Sequence, residues 1–476
     1  MLTRLQVQGF KNLHDVDVRF GPFTCIAGAN GVGKSNLFDA ILFLSKLADK
    51  PFVEAVRAIR GGEESPRGLF AAHGENEMSL VAEMLIPAIG EDDFGQRAEA
   101  SATFVRYELR LRLMQDSDHR LRERIQLDRE DLSYIKKGEA KERLAFPCGK
   151  EWMSSVILKS PRTRPFISTD AGIVHLHADR MQRSGKAKRG GGKPYGFKAS
   201  TLPRTVLSSA NNAEETRTAV LARNEMRTWR LLQLEPSAMR QPDDFQSSDT
   251  LTSTGGHIPA TLFRIATLNG DPAREGRVYA GVANRLAELV EGVRGVRVVR
   301  DETRKALILM MKDRSGLELP ASSLSDGTLR FLALAVLQQD PRETGLICME
   351  EPENGIHPQR IDAILQLLED IAVDTEGDSD EENPLRQVIL NTHSPLVAGR
   401  VAEGDLLIAK TRSKRIGNAP VPELALYAIG GTWRAESGAP RITKGEIVSY
   451  LQGVPSRGGR RSGCVADRFQ LSLQFG

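Results

Sequence analysis

Apolar and polar positions alternate from the start of the chain. "LTRLQVQGF" and "HDVDVRF" each follow a period of two, which predicts two half-buried strands. "FTCIAG" is a continuous apolar run and predicts a fully buried strand. A glycine-rich turn then opens "KSNLFDAILFLSKLAD", whose apolar residues recur at helical spacing. From about 78 to 145 the alternation returns in "MSLVAEMLI", "ATFVRYELRLRLM" and "RIQLDREDLSYI", the pattern of a β-meander. Residues 205–295 read as mostly helical, as in "ETRTAVLARNEMRTWRLLQL" and "GRVYAGVANRLAELVEGV". From about 296, strand and helix signals alternate through "GVRVVR", "KALILMMK", a helix after Ser325, a strand ending at Met349, a helix after Pro358 and "QVILNT". That alternation predicts a parallel-sheet α/β core. There is no internal repeat and no sustained heptad pattern, so no long coiled-coil arm is expected.

Composition changes this picture little. The 476 residues suffice for two or three domains, and 40% hydrophobic with 27% charged content is ordinary for a globular chain. With 65 basic and 62 acidic residues the net charge is only +3, so any nucleic-acid footprint must be local. Two stretches qualify: the glycine-rich segment Arg180–Lys198, basic from Lys186, and "SRGGRRSG" at Ser456–Gly463. Each reads as a solvated linker or as a contact for nucleic-acid phosphate. Only Tyr195 and Phe197 offer base stacking there, which argues against sequence-specific reading. The acidic run Asp374–Asn383 reads as a solvated loop. Four scattered cysteines without a CxxC pair point to a reducing compartment with neither disulfides nor structural zinc. No signal core and no apolar run near ~18 residues is present, so the expectation is a cytoplasmic protein that does not enter a membrane.

"GANGVGKS", Gly28–Ser35, is a complete G-x-x-x-x-G-K-[ST] match between an apolar strand and a helix, the context that motif requires. Its backbone N–H groups and the helix N-terminus would cradle phosphates. Lys34 would reach the β- and γ-phosphates and Ser35 would hold Mg²⁺. Asn30, Gly31, Gly33 and Asn36 complete the candidate cofactor-binding set. "GLICMEE" is an apolar strand ending in two acids, placing Glu350 as the metal acid and Glu351 as the base that polarises an attacking water. His393, after "ILNT", would hydrogen-bond a γ-phosphate; a lone histidine at a strand end is otherwise a satisfied polar residue. In "LSDGTLRFLALAVL", Ser325 and Gly327 open a helix whose start offers a second phosphate-binding N-terminus. Read alone it is equally an N-capped core helix. The phosphate loop needs no second helix start for itself, so the functional reading has this one completing a site on another subunit.

Taken together, these residues resemble the ABC-type ATPase heads of the SMC, RecF and OLD group. The Walker A is "GANGVGKS", the signature "LSDGT", the Walker B "LICMEE", the D-loop region "PENGIHP" and the His switch "NTHSP". The opening "LQVQGFKNL" also looks like the group's first strand and turn, and the set "LSDGTLR…EEPENGIHP…THSP" with "RNEMRTWRLLQLEPSAMRQP" and "ITKGEIVSYL" resembles compact prokaryotic members, many from anti-phage defence operons. The resemblance implies an α/β P-loop NTPase of ABC-ATPase type, a two-lobed head with a β-meander and an inserted helical lobe. It divides the chain into 1–75, the N-terminal part of the core; 76–200, a β-rich lobe with the basic loop; 201–295, a helical insertion lobe; 296–415, the C-terminal part of the core; and 416–476, an extension with a basic tail. Roughly 290 positions separate Ser35 from Ser325, far more than a minimal nucleotide-binding domain needs.

The resemblance also implies a magnesium-dependent ATPase that pairs head to tail around two ATP molecules, each site taking Ser325 and Gly327 from the other copy. Glu350 stands where the family usually has Asp, one methylene longer, which would shift the metal contact and slow turnover. Asp326 stands in place of a signature glycine, as is common in this subgroup. For the Q-loop the sequence offers Gln182, with Arg180 in the same turn as a γ-phosphate or lobe contact. After His393 roughly 80 residues remain, with only Asp405 and Asp467 as aspartates, so no Toprim nuclease fits. An ATPase that controls a separate effector, a nuclease or toxin, is therefore expected. The alternatives are a DNA-maintenance ATPase binding duplex directly and a nucleotide-gated scaffold with negligible turnover.

Overall fold

The computed structural model describes residues 1–71, 76–115, 123–160, 162–179, 195–416, 419–451 and 465. Two large sheets organise it. One has eight strands, ordered Tyr195–Lys198, Ile173–Leu176, Ile167–Asp170, Glu123–Tyr134, Phe104–Gln115, Glu77–Leu85, Leu2–Gln8 and Val16–Arg19. All of its neighbours are antiparallel. The other has seven strands, ordered Arg230–Leu232, Gly345–Glu350, Arg386–Thr392, Phe23–Ala27, Leu406–Ile416, Ala419–Ile429 and Arg441–Ile442. Its first five strands run parallel. The two opening strands therefore join the meander, and the chain crosses to the parallel sheet between Arg19 and Phe23.

Burial follows from this layering. In Gly345–Glu350, Leu346 and Cys348 face a core shared with the helix Lys34–Leu47 and the antiparallel sheet. Ile347 and Met349 face a second core with the helices Ile258–Thr267, Pro272–Leu289, Asp326–Gln339 and Ile361–Ile371. A strand covered on both faces reads as an unbroken apolar run, which is why "GLICM" shows no alternation.

Two expectations need correction. The segments "GVRVVR" and "KALILMMK" are not in the parallel sheet. They form an antiparallel hairpin, Val293–Asp301 with Ala306–Asp313, extended by Asp243–Asp244 and Glu318–Pro320. Only 302–305 connects the hairpin strands, too short for the crossover that a parallel pair requires. Residues 201–295 are likewise not one inserted helical unit. The helix Ala213–Thr228 packs on the helix Lys34–Leu47, and Arg230–Leu232 is the edge strand of the parallel sheet.

One buried carboxylate ties the meander to the next segment. Glu130 is fully buried and accepts from the Val206 and Leu207 N–H groups at 2.7 and 2.8 Å and from the Tyr107 hydroxyl at 3.1 Å. Burial pushes its carboxyl up to about 7, against the pull of those three donors. A folded-state pKa above the unfolded 4.5 gives stability that is complete below the unfolded value and is lost as pH rises through about 7. Relative to Glu130→Gln, the wild-type unfolding free energy should therefore fall by roughly 2–3 kcal/mol between about pH 5 and pH 8. Denaturant titrations of both proteins across that range measure this; a difference that stays flat means the carboxyl titrates ordinarily.

Candidate nucleotide site

Four parallel strands end on one edge of the seven-stranded sheet, and their register sets what meets there. Leu232 is opposite Met349, Glu350 opposite Asn391, and Asn391 opposite Ile26. The residues that follow these strands are Gln233, Glu351, His393 and the glycine loop. Crevices at the carboxyl ends of open α/β sheets are where such folds take ligands. Here a cavity of about 750 Å³ is lined by Asn30, Gly31, Gly33, Lys34, Ser35 and Asn36 of the loop, with Gln233, Glu235, Arg330, Glu350, Glu351, Asn354 and Asn391.

The loop adopts backbone conformations that favour glycine at Gly31 (φ 79°) and Gly33 (φ 108°). A Cβ on Gly33 would also come within 2.3 Å of the Asn12 side chain. Asn12 crosses there because its Nδ2 donates to the Val32 carbonyl at 3.1 Å and its Oδ1 accepts from Asn36 at 2.8 Å. The turn "FKN" thus braces the loop from outside. Lys34 Nζ donates to the Gly28 and Ala29 carbonyls at 2.7 and 2.8 Å. Burial pushes its ammonium below the usual range, opposed by Glu351, Glu353 and Glu350. An incoming phosphate would compete with the two carbonyls for its three donors.

Among the described residues, Glu350 has partners only at the limit of hydrogen bonding: Arg60 at 3.4 Å, Gln233 at 3.5 Å and Asn391 at 3.5 Å. Its carboxylate keeps acceptor capacity, and it lines the cavity with Ser35; a carboxylate and a hydroxyl are hard oxygen donors of the kind Mg²⁺ takes. Arg60 is anchored on the buried Asp39 at 3.1 Å and donates to the Ser35 carbonyl at 3.3 Å; Lys11 holds the other Asp39 oxygen at 2.6 Å.

Glu351 is the residue with the most constrained surroundings. Its backbone is left-handed, φ 47°, a conformation uncommon without glycine. One carboxylate oxygen meets His393 Nδ1 at 2.6 Å and the other accepts from Asn354 Nδ2 at 2.7 Å. Partial burial pushes the carboxyl up, but the bonds from Asn354 and His393 and the Lys34 charge outweigh it and leave it below its ordinary range. It is therefore ionised at neutral pH and able to accept a proton. His393 does not line the cavity; it reaches the site through Glu351, and its own carbonyl accepts from the Tyr450 hydroxyl at 3.2 Å.

The helix Asp326–Gln339 is capped by Ser325, whose Oγ accepts from the Thr328 N–H at 3.2 Å. Arg330 and Leu334, further along it, line the cavity, whereas Ser325 and Gly327 do not. One chain thus brings together the loop, Glu350, Glu351 and, through Glu351, His393, and leaves the helix start outside. Gln182 and Arg180 lie outside the described residues. Two residues that reach Glu350 escaped the sequence reading: Gln233, which lines the cavity, and Arg60, which does not. Gln233 directly follows the strand beside Glu350, and the order strand-then-Gln in "RLLQLEP" was its only signal. Arg60, in "AIRGG", had none.

Residues 202–399 match the family described as "AAA domain, putative AbiEii toxin, Type IV TA system", and residues 4–46 match an AAA domain. A DNA replication and repair protein RecF of Porphyromonas gingivalis is 38% identical over 84 residues, 17% of this chain and 23% of that protein. An OLD nuclease of Thermus scotoductus is 51% identical over 41 residues, 9% of this chain and 8% of that protein. The chain thus spans less than a quarter of the length of these curated relatives. A solved SMC head bound to the C-winged helix domain of ScpA covers 90% of this chain and 98% of its own, at 13% identity and TM-score 0.47. Among the described residues, no helix is long and apolar enough to cross a membrane, and no group of three or more His, Cys, Asp or Glu side chains is placed to hold a metal.

Proposed function

The chain carries an ATPase head of the SMC, RecF and OLD type, and from that premise we propose that it hydrolyses ATP in a head-to-tail homodimer and couples its nucleotide state to a partner effector in prokaryotic anti-phage defence. Lys34 and the loop N–H groups hold the phosphates. Ser35 and Glu350 would hold Mg²⁺, which supplies charge neutralisation on the β- and γ-oxygens. Glu351 takes the proton of the attacking water as the new oxygen–phosphorus bond forms and the bond to ADP breaks. His393 holds the Glu351 carboxylate through Nδ1, and a second bond from its other ring nitrogen to the γ-phosphate requires the imidazolium, in which both nitrogens donate. Ser325 and Gly327 of the second copy close the site from the opposite side.

The observation that carries this reading is the doubly hydrogen-bonded Glu351 lining one cavity with Glu350 and the Lys34 loop. The dimer is supported by the signature helix start lying outside its own chain's cavity. The defence role rests on the toxin–antitoxin description of the family matching 202–399. The similarity to RecF favours a second reading, an ATPase of DNA maintenance that binds duplex directly. Phosphate release measured with and without duplex DNA separates the two. The defence reading expects a change of no more than about twofold, and a several-fold stimulation would support the RecF-like reading.

A further inference from the structure

Asn354 is tied to the site in three ways. Its side-chain Nδ2 donates to Glu351 Oε2 at 2.7 Å, its N–H donates to the Glu351 carbonyl at 3.0 Å, and its own carbonyl accepts from Arg330 Nη1. Arg330 lies just beyond the first turn of the helix capped by Ser325 and lines the cavity with Glu351. The two segments also lie close beside each other, since a Cβ on Gly327 would sit 3.8 Å from the Gly355 carbonyl. Glu351, for its part, holds a left-handed backbone that a glutamate does not favour, so its carboxylate direction depends on what grips it.

We propose that Asn354 is a positioning residue for Glu351: its side-chain amide fixes the direction of the carboxylate, and Arg330, from the helix capped by Ser325, holds the Asn354 main-chain carbonyl. A neutral donor suits this position. An aspartate would present a second carboxylate to Glu351, and an alanine would leave Oε2 without its bond. This inference rests on Glu351 being the base, and it adds a residue that touches no substrate itself.

The test is a double-mutant cycle on the full chain, with single-turnover and steady-state hydrolysis of Mg-ATP measured for wild type, Asn354→Ala, Glu351→Gln and the pair. Asn354→Ala should lower kcat about tenfold or more with KM for ATP within about twofold, and should lower the residual Glu351→Gln rate no further. Asn354→Asp, which keeps the side-chain shape, should lose as much as the alanine variant. The inference is overturned if Asn354→Ala reduces both backgrounds by the same factor, if its loss falls on KM alone, or if Asn354→Asp turns over like wild type. A Glu351→Gln enzyme with the wild-type rate would instead remove the assignment of Glu351, and that variant shows it by itself.

Discussion

Replacing Glu351 by glutamine should lower ATP turnover by at least about a hundredfold, the scale expected when a positioned general base is lost. Nucleotide affinity should stay within a few-fold. The substitution keeps the size of the side chain, one oxygen acceptor for Asn354 or His393, and the left-handed backbone that places it. It removes the charge that receives the proton. Glu350, Ser35 and Lys34 are untouched, so the groups that would hold Mg²⁺ and the phosphates persist. Phosphate release and binding of a fluorescent ATP analogue, measured on the same preparation, separate the two effects. An unchanged rate would show that another group activates the water.

Ser325→Arg should have an effect of similar size by a different route. Within its own chain Ser325 only caps a helix, and loss of a cap costs about 1 kcal/mol, too little to unfold a domain with two extensive cores. It does not line its own chain's cavity, so that chain should bind ATP as before. In the head-to-tail pair, however, a long cation would stand where the second copy's γ-phosphate must meet the helix start. Hydrolysis should drop by at least about tenfold while ATP affinity and the melting temperature hold. A variant that hydrolyses at the wild-type rate would reduce "LSDGT" to the start of a core helix.

Which parts of the site were legible in the sequence follows from how each is encoded. The loop Gly28–Ser35 is a contiguous motif whose geometry is local, so its strand, turn and helix could be read directly. Glu350 and Glu351 were legible for the same reason, as acids at the end of an unbroken apolar run. Gln233 and Arg60 depend on strand order and on packing across the sheet, which spacing along the chain does not contain. Gln233 reaches Glu350 because Arg230–Leu232 pairs with Gly345–Glu350. Arg60 does so because the buried Asp39 anchors it. The hairpin Val293–Asp313 was misplaced because its strands alternate with helices along the chain while pairing only with each other and with short neighbours. The division of the opening strands between two sheets was hidden likewise, since a half-buried strand reads the same in either.

The central claim is that each ATP site is shared between two copies of the chain, and mixing two inactive variants tests it most directly. A Lys34→Ala chain supplies an intact Ser325 and Gly327, and a Ser325→Arg chain supplies an intact phosphate loop. Their mixed dimer holds one complete site and one doubly defective site. Random pairing of equal amounts should therefore restore up to roughly a quarter of wild-type turnover, although neither protein works alone. A mixture that stays as inactive as its components, with both variants folded and paired, would contradict the shared site.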